Sequence, residues 1–205
     1  MNNWNISGEV LRHGIKGSKY PKLWIQVELQ SPIPSISENK LFISFDLDPN
    51  PSSKAGKAGE YIKNKLENSN YFFLQEGLIA MVQTSKKLDN GEWQNEDVIG
   101  FKGRLNNLSL SNNSFDNINM GLACGIVSKY NHDQEKKIER FIIEEKYRNV
   151  KTGEWKSRPI PILREEVSES NPLIGKKVFV FAKLCGATPE GEAKIFGLSK
   201  KLIIT

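Results

Sequence analysis

The sequence sets out one strand-rich pattern twice. Around Gly8 stands Trp4-Asn-Ile-Ser-Gly-Glu-Val-Leu, and around Gly125 stands Met120-Gly-Leu-Ala-Cys-Gly-Ile-Val. An extended apolar stretch follows each, residues 23–29 in the first half and 140–145 in the second. Each half continues with a further strand, 78–83 and 177–183, and closes on a similar run, 100–110 and 195–204. Solenoid units have periods of about 20–50 residues, so a repeat of half a 205-residue chain is a domain-sized unit. Two copies of one small β domain present one surface twice, which suits a long partner.

Composition narrows the class. With 38% hydrophobic and 26% charged residues, the chain has the balance of a soluble globular protein. No apolar run approaches the roughly 20 residues that span a bilayer, and Met1-Asn-Asn-Trp-Asn lacks the basic and apolar regions of a signal peptide. The expectation is a cytoplasmic protein with no membrane partner. Cys124 and Cys185 both fall in strand-like segments, which favours buried free thiols, with a disulfide as the alternative. Beside only His13 and His132 they offer no zinc spacing, and no metal or cofactor is expected. Charge is uneven. The first 115 residues hold 13 basic against 12 acidic side chains, the remainder 16 against 12. A net +5 favours a polyanionic partner, whose binding would weaken with salt.

Read in order, the first half gives a strand at 4–11 interrupted by Gly8, a bend of the kind small barrels need in a first strand. A basic loop at 13–22 leads to strands at 23–29 and 40–47. Ser52 or Ser53 can cap a helix over 55–68, whose short apolar face of Tyr61, Ile62 and Leu66 suits a plug. Strands at 78–84 and 98–110 follow, joined through Asn90-Gly91, a hairpin signal. This β-β-β-α-β-β order is that of the five-stranded OB (oligonucleotide/oligosaccharide-binding) barrel. The polar, aperiodic segment 111–117 separates the halves. The second half repeats the order, with strands at 118–130, 138–150, 155–164, 176–184 and 193–204 and its helix reduced to a remnant at 165–173. The expected fold is all-β, two tandem five-stranded OB barrels at 1–112 and 117–205, the first with a helix between strands three and four.

The second half carries a family resemblance. Asn119-Met-Gly-Leu-Ala-Cys-Gly-Ile-Val, the string from Arg140 through Trp155 to Ile162, and Leu173-Ile-Gly-Lys-Lys-Val-Phe-Val-Phe-Ala-Lys-Leu are similar to strands one, two to three, and four of the bacterial-type single-stranded DNA-binding proteins. The resemblance covers about 118–205, and the first half echoes it more loosely. It implies a binder of single-stranded DNA with little sequence preference, acting in replication, recombination or repair. Two points depart from the pattern. That family usually has one barrel per chain, assembles as a tetramer and ends in an acidic tail, whereas two barrels and no such tail are expected here, the last strand running to Ile204. Homo-oligomerisation is thus expected as a dimer rather than a tetramer.

Single strands are held by cations tracking phosphates and by aromatic rings on which bases stack. On the strand two–three surface the second half places Arg140, Lys146, Tyr147, Arg148, Lys151, Trp155, Lys156 and Arg158, its densest mix of rings and cations. The first half offers Lys16, Lys19, Tyr20, Lys22 and Trp24, followed by Phe42 and Phe45. Alternation sets Trp24 with Gln26 and Glu28 on the polar face, while the neighbours of Phe42 assign it to the core. Lys86, Lys87 and Trp93 flank the Asn90-Gly91 turn, where a loop could reach the groove. Tyr71-Phe72-Phe73 reads as core entering strand four.

Catalysis lacks a basis. The pairs Glu144-Glu145 and Glu165-Glu166 put neighbouring carboxylates on opposite strand faces. Lys54-Ala-Gly-Lys-Ala-Gly lacks the spacing of a phosphate loop. A structural OB module that holds a partner protein, and an RNA binder using the same groove, are the alternatives to single-stranded DNA.

Overall fold

The computed structural model describes residues 3–17, 19–29, 40–116, 119–148, 152–167, 172–187 and 194–205. Among the described residues the chain is all-β apart from one α-helix and a short 3-10 turn. Its described residues fall into two compact units: residues 5–116, and residues 119–205 together with Asn3 and Trp4. Among the described residues no helix is long and apolar enough to cross a membrane.

In the first unit the strands are β1 (Asn3–Lys16, of which the part from Asn5 on belongs to this unit), β2 (Lys22–Leu29), β3 (Lys40–Asp46), β4 (Tyr71–Lys87), β5 (Trp93–Gly103) and β6 (Leu108–Ser111), with α1 (Lys54–Leu66) between β3 and β4. Pairing runs β1–β2–β3–β5–β4 and returns from β4 to β1, so five strands close into a barrel without a free edge. The closure includes a short parallel pairing of β3 with β5, Ile43 opposite Phe101. Alternation decides which side chains enter it. Leu23, Ile25, Val27 and Leu29 of β2 and Leu41, Ile43 and Phe45 of β3 are buried, each worth about 1.5–3 kcal/mol of apolar transfer. Helix α1 adds Ile62 and Leu66 to this core and leaves Tyr61 exposed. Ser53 is its N-cap, the hydroxyl accepting from the Gly56 amide at 2.9 Å.

The second unit contains β7 (Met120–Asp133), β8 (Ile138–Arg148), β9 (Trp155–Arg164), β10 (Lys177–Ala187) and β11 (Lys194–Ile204). Its pairings also run in a circuit, β7–β8–β9–β11–β10 and back to β7, again with a short parallel step, Phe196 opposite Ile162. The described residues between β9 and β10 carry no helix. Glu166 there takes a left-handed backbone, and Val167 is buried, its amide bonded to the Lys137 carbonyl at 3.0 Å.

The two glycines that anchor the sequence repeat do the same job. A Cβ on Gly8 would sit 2.1 Å from the Glu28 carbonyl oxygen, and one on Gly125 would sit 2.4 Å from that of Glu144. Each strand therefore lies so close to its neighbour that only glycine fits. Shortly after each, the register slips: between Val10 and Arg12 against β2, and between Val127 and Lys129 against β8. Such bulges sharpen the coil of a strand that must bend round a barrel.

Some elements differ from the sequence reading. The strand expected at 78–84 begins at Tyr71, because residues 71–74 first pair with β6 before the strand turns at Glu76, in left-handed backbone, to pair with β5. The strand expected at 98–110 is two strands, β5 and β6, broken by the 3-10 turn Leu105–Asn107. Of the Tyr71-Phe72-Phe73 run, Phe72 enters the core, whereas Tyr71 and Phe73 are half-buried.

Candidate nucleic-acid interface

On the first unit, cross-strand register gathers one outer face. Arg12, Gly14 and Lys16 of β1 stand opposite Gln26, Trp24 and Lys22 of β2, and Gln26 and Trp24 stand opposite Phe42 and Ser44 of β3. Directly paired residues share a side of the sheet, so these side chains form one patch on the barrel exterior. Trp24 is half-buried there, as alternation predicts. Its ring centroid lies 6.2 Å from that of Phe42, and the Arg12 guanidinium lies 5.7 Å from Trp24 and 6.0 Å from Phe42. The Arg12 Nε donates to Gln26 Oε1, which holds the cation over the two rings.

Two members of this patch escape the sequence reading. Phe42 belongs on the outer face and not in the core, because Leu41, Ile43 and Phe45 are the buried set. The apolar run hides the parity, yet Ser44 and Asp46 in the same alternation mark the wet side. Arg12 was passed over because it precedes the basic loop; its register opposite Gln26 is a tertiary fact.

The other expected residues of this half cluster at the β1–β2 turn. Lys16 and Lys22 are direct partners, Gly17 makes the turn in left-handed backbone, and Lys19 lies 5.6 Å from the ring of Tyr20, which is 67% exposed. Lys86, Lys87 and Trp93 lie at the far end of the β4–β5 ladder, with Lys87 opposite Trp93. Trp93 thus opens a strand instead of riding a loop, and the side chains of these three lie outside the described residues.

On the second unit the expected cluster divides. The ends of β8 and β9 form a two-stranded ribbon in which Glu145, Lys146, Tyr147 and Arg148 stand opposite Arg158, Ser157, Lys156 and Trp155. Parity places Lys146, Arg148, Trp155 and Ser157 on the outer side, and Glu145, Tyr147, Lys156 and Arg158 on the side continuous with buried Phe141 and Ile143. The sequence reading pooled both sets, because closeness along the chain does not reveal side.

The two sides differ chemically. Arg158 lies 4.4 Å above the Tyr147 ring centroid and 3.6 Å from a Glu145 carboxylate oxygen, with about a fifth of its side chain exposed. One face of Tyr147 is therefore covered, and the Arg158 charge is matched within the protein. Trp155 is 71% exposed. A concavity of about 520 Å³ is lined by Lys146, Trp155 and Ser157, and by Lys156 despite its opposite parity. Arg148 donates through Nε to the Gly153 carbonyl at 3.0 Å and braces the turn that carries Trp155. Arg140 is exposed on the outer side of β8, six residues and hence about 20 Å from Lys146. Lys151 lies outside the described residues.

An exposed ring beside ammonium groups can stack a flat apolar base while the cations meet its phosphates. Both patches have this chemistry. Among the described residues no group of three or more His, Cys, Asp or Glu side chains is placed to hold a metal ion.

No family model matches the sequence, and no curated protein matches it. Among solved structures, the chain is similar to the single-stranded DNA-binding protein from Thermus aquaticus. A deletion variant of that protein superposes with a TM-score of 0.60 at 14% identity, covering 100% of this chain and 94% of the other. The wild-type protein gives 0.59 at 11% identity, covering 100% and 93%. At these identities the likeness is one of fold: this is an all-β chain with a closed five-stranded barrel of the OB kind.

Proposed function

We propose that this chain binds single-stranded DNA with little sequence preference, through two OB barrels in tandem at 1–112 and 117–205. The observation that carries the reading is the outer face of the first barrel, where Trp24 and Phe42 stand among Arg12, Lys16 and Lys22. The exposed Trp155 in its lysine-lined concavity supports it. So does the fold likeness to a protein named for binding single-stranded DNA.

In this reading Trp24 and Trp155 stack bases, while Lys16, Lys19, Lys22, Lys146, Lys156, Arg140 and Arg148 meet phosphates. Tyr20, with most of its ring exposed, is a third stacking position. Tyr147 and Arg158 chiefly hold each other. Lys86, Lys87, Trp93 and Lys151 extend the proposed groove. The role is protective binding, without catalysis or cofactor, during replication, recombination or repair in the cytoplasm. Changing Trp24 or Trp155 to Ala should weaken binding of a dT oligomer by about 1–3 kcal/mol each. An equal-length RNA that competes as well as DNA would transfer the reading to RNA, and a tryptophan change without effect would remove that ring from the interface.

The active form is proposed to contain two copies. On the outer face of β7, β10 and β11 stand Met120, Ile126, Phe181 and Ile203, each more than two-fifths exposed. A monomer seldom leaves that much apolar side chain together. At one end Ile126 has Glu144 on one side and Lys177 on the other. A two-fold axis along β7 would set Glu144 of each copy opposite Lys177 of the second.

A further inference from the structure

The Trp24 platform depends on a missing side chain. Gly14 is the direct partner of Trp24 across the β1–β2 ladder, and the indole lies over it. A Cβ on Gly14 would meet Cζ2 of Trp24 at 2.7 Å, Cε2 at 3.0 Å and Nε1 at 3.1 Å. All three atoms belong to one edge of the ring, and no backbone atom is among them. This is unlike Gly8, whose Cβ would strike the Glu28 carbonyl itself at 2.1 Å. Nor does Gly14 have a left-handed backbone that an L side chain would resist. A side chain at position 14 would thus evict the ring and leave the strands intact.

We infer that Gly14 is a positioning residue: it lets the Trp24 indole lie flat across β1, within reach of Arg12 and Phe42, in the pose that presents a stacking face. Register in the second unit makes the same point by contrast. Counting from the bulges, the places of Arg12, Gly14 and Trp24 are taken by Lys129, Asn131 and Arg140, with Asn131 opposite Arg140. The place of Phe42, opposite Gln26, is taken by Pro161, opposite Ile142. There is no ring to lay down and no glycine to receive it. The two barrels therefore offer unlike subsites: a ring on the barrel wall in the first, and a ring on the β8–β9 ribbon in the second.

The inference rests on the single-strand reading for its effect on binding, but not for its geometry, and the test separates the two. The full chain labelled with 5-fluorotryptophan gives a fluorine resonance for each Trp, with that of Trp24 assigned by Trp24→Phe. Gly14→Ala should shift the Trp24 resonance and leave those of Trp4 and Trp155 in place, with the melting temperature held. Affinity for a dT oligomer should fall about 5- to 150-fold, as for the loss of one stacked base. Gly14→Ala with Trp24→Ala should bind no worse than Trp24→Ala alone. Phe has no counterpart of Cζ2, the atom a Gly14 Cβ would meet most closely, so Gly14→Ala with Trp24→Phe should bind as Trp24→Phe does. An unmoved Trp24 resonance, additive losses, or a loss that persists in the Phe background would each overturn the inference. A shifted resonance in a protein that never binds the oligomer would uphold the geometry and overturn the single-strand reading.

Discussion

Glu139 is the place where the packing of the second unit is most exposed to a single change. It sits on the inner face of β8 with Phe141 and Ile143, and only 1% of its surface reaches solvent. Its carboxylate accepts from the Tyr130 hydroxyl at 2.7 Å and from Arg164 Nη1 at 3.2 Å. Hydrogen bonds to a charged group contribute about 1.5–3 kcal/mol each. The Arg164 side chain is 38% exposed, so it recovers hydration when its partner is lost and its bond counts for less. Glu139→Ala should therefore cost about 2–4 kcal/mol, and Glu139→Gln, which keeps the shape and one acceptor, about half of that. For a chain of this length that is roughly 5–12 °C in melting temperature for the alanine variant. Two units can melt separately, so hydrogen exchange on β8 and β9 should accompany calorimetry. A Glu139→Ala variant within 0.5 kcal/mol of the parent would refute the reasoning, as would a cycle with Arg164→Gln that shows no coupling.

Gly8→Ala and Gly125→Ala should each destabilise by more than about 2 kcal/mol in urea, since the new methyl meets a backbone carbonyl that cannot turn away. Melts superimposable on the parent would remove close approach as the reason for these glycines. Asp48 is held below the usual carboxylate range by the Ser53 hydroxyl first and the Asn50 amide second. A depressed folded value means that its contribution is present above the ordinary carboxylate pKa and is lost as pH falls through the folded value. Ser53→Ala should move the Asp48 titration upward by NMR and, as loss of an N-cap, cost about 1 kcal/mol. Phe181→Asp should turn a sedimenting dimer into a monomer at equal concentration, while a parent that sediments as a monomer would remove the two-copy proposal.

The sequence carried the strands well where one face is wet. Residues 22–29 alternate cleanly, and the structure buries Leu23, Ile25, Val27 and Leu29 as that alternation requires. It carried less where a run is apolar throughout. In Leu41-Phe-Ile-Ser-Phe the polar cue of Ser44 is outweighed by its apolar neighbours, and Phe141-Ile-Ile gives no parity of its own, so the sequence pattern puts Phe42 in the core where the structure buries Leu41, Ile43 and Phe45. Likewise, the sequence groups the rings and cations of the β8–β9 ribbon on one surface, and register splits them. The early start of β4 and the separate β6 follow from a partner, not from local pattern, since Tyr71–Leu74 pair with Leu108–Ser111. Gly8 is legible as a bend and Gly125 as its counterpart in the repeat, but that each is pressed on a carbonyl oxygen needs coordinates. The same holds for Arg12 over the rings of Trp24 and Phe42.

The central claim is tested most directly by titrating the full chain with poly-dT while following tryptophan emission over a series of salt concentrations. Emission should be quenched as Trp24 and Trp155 stack, and the logarithm of the affinity should fall linearly with log salt by about 0.7 per phosphate contacted. A flat emission trace at low salt, with no change in sedimentation of the DNA, would contradict the claim.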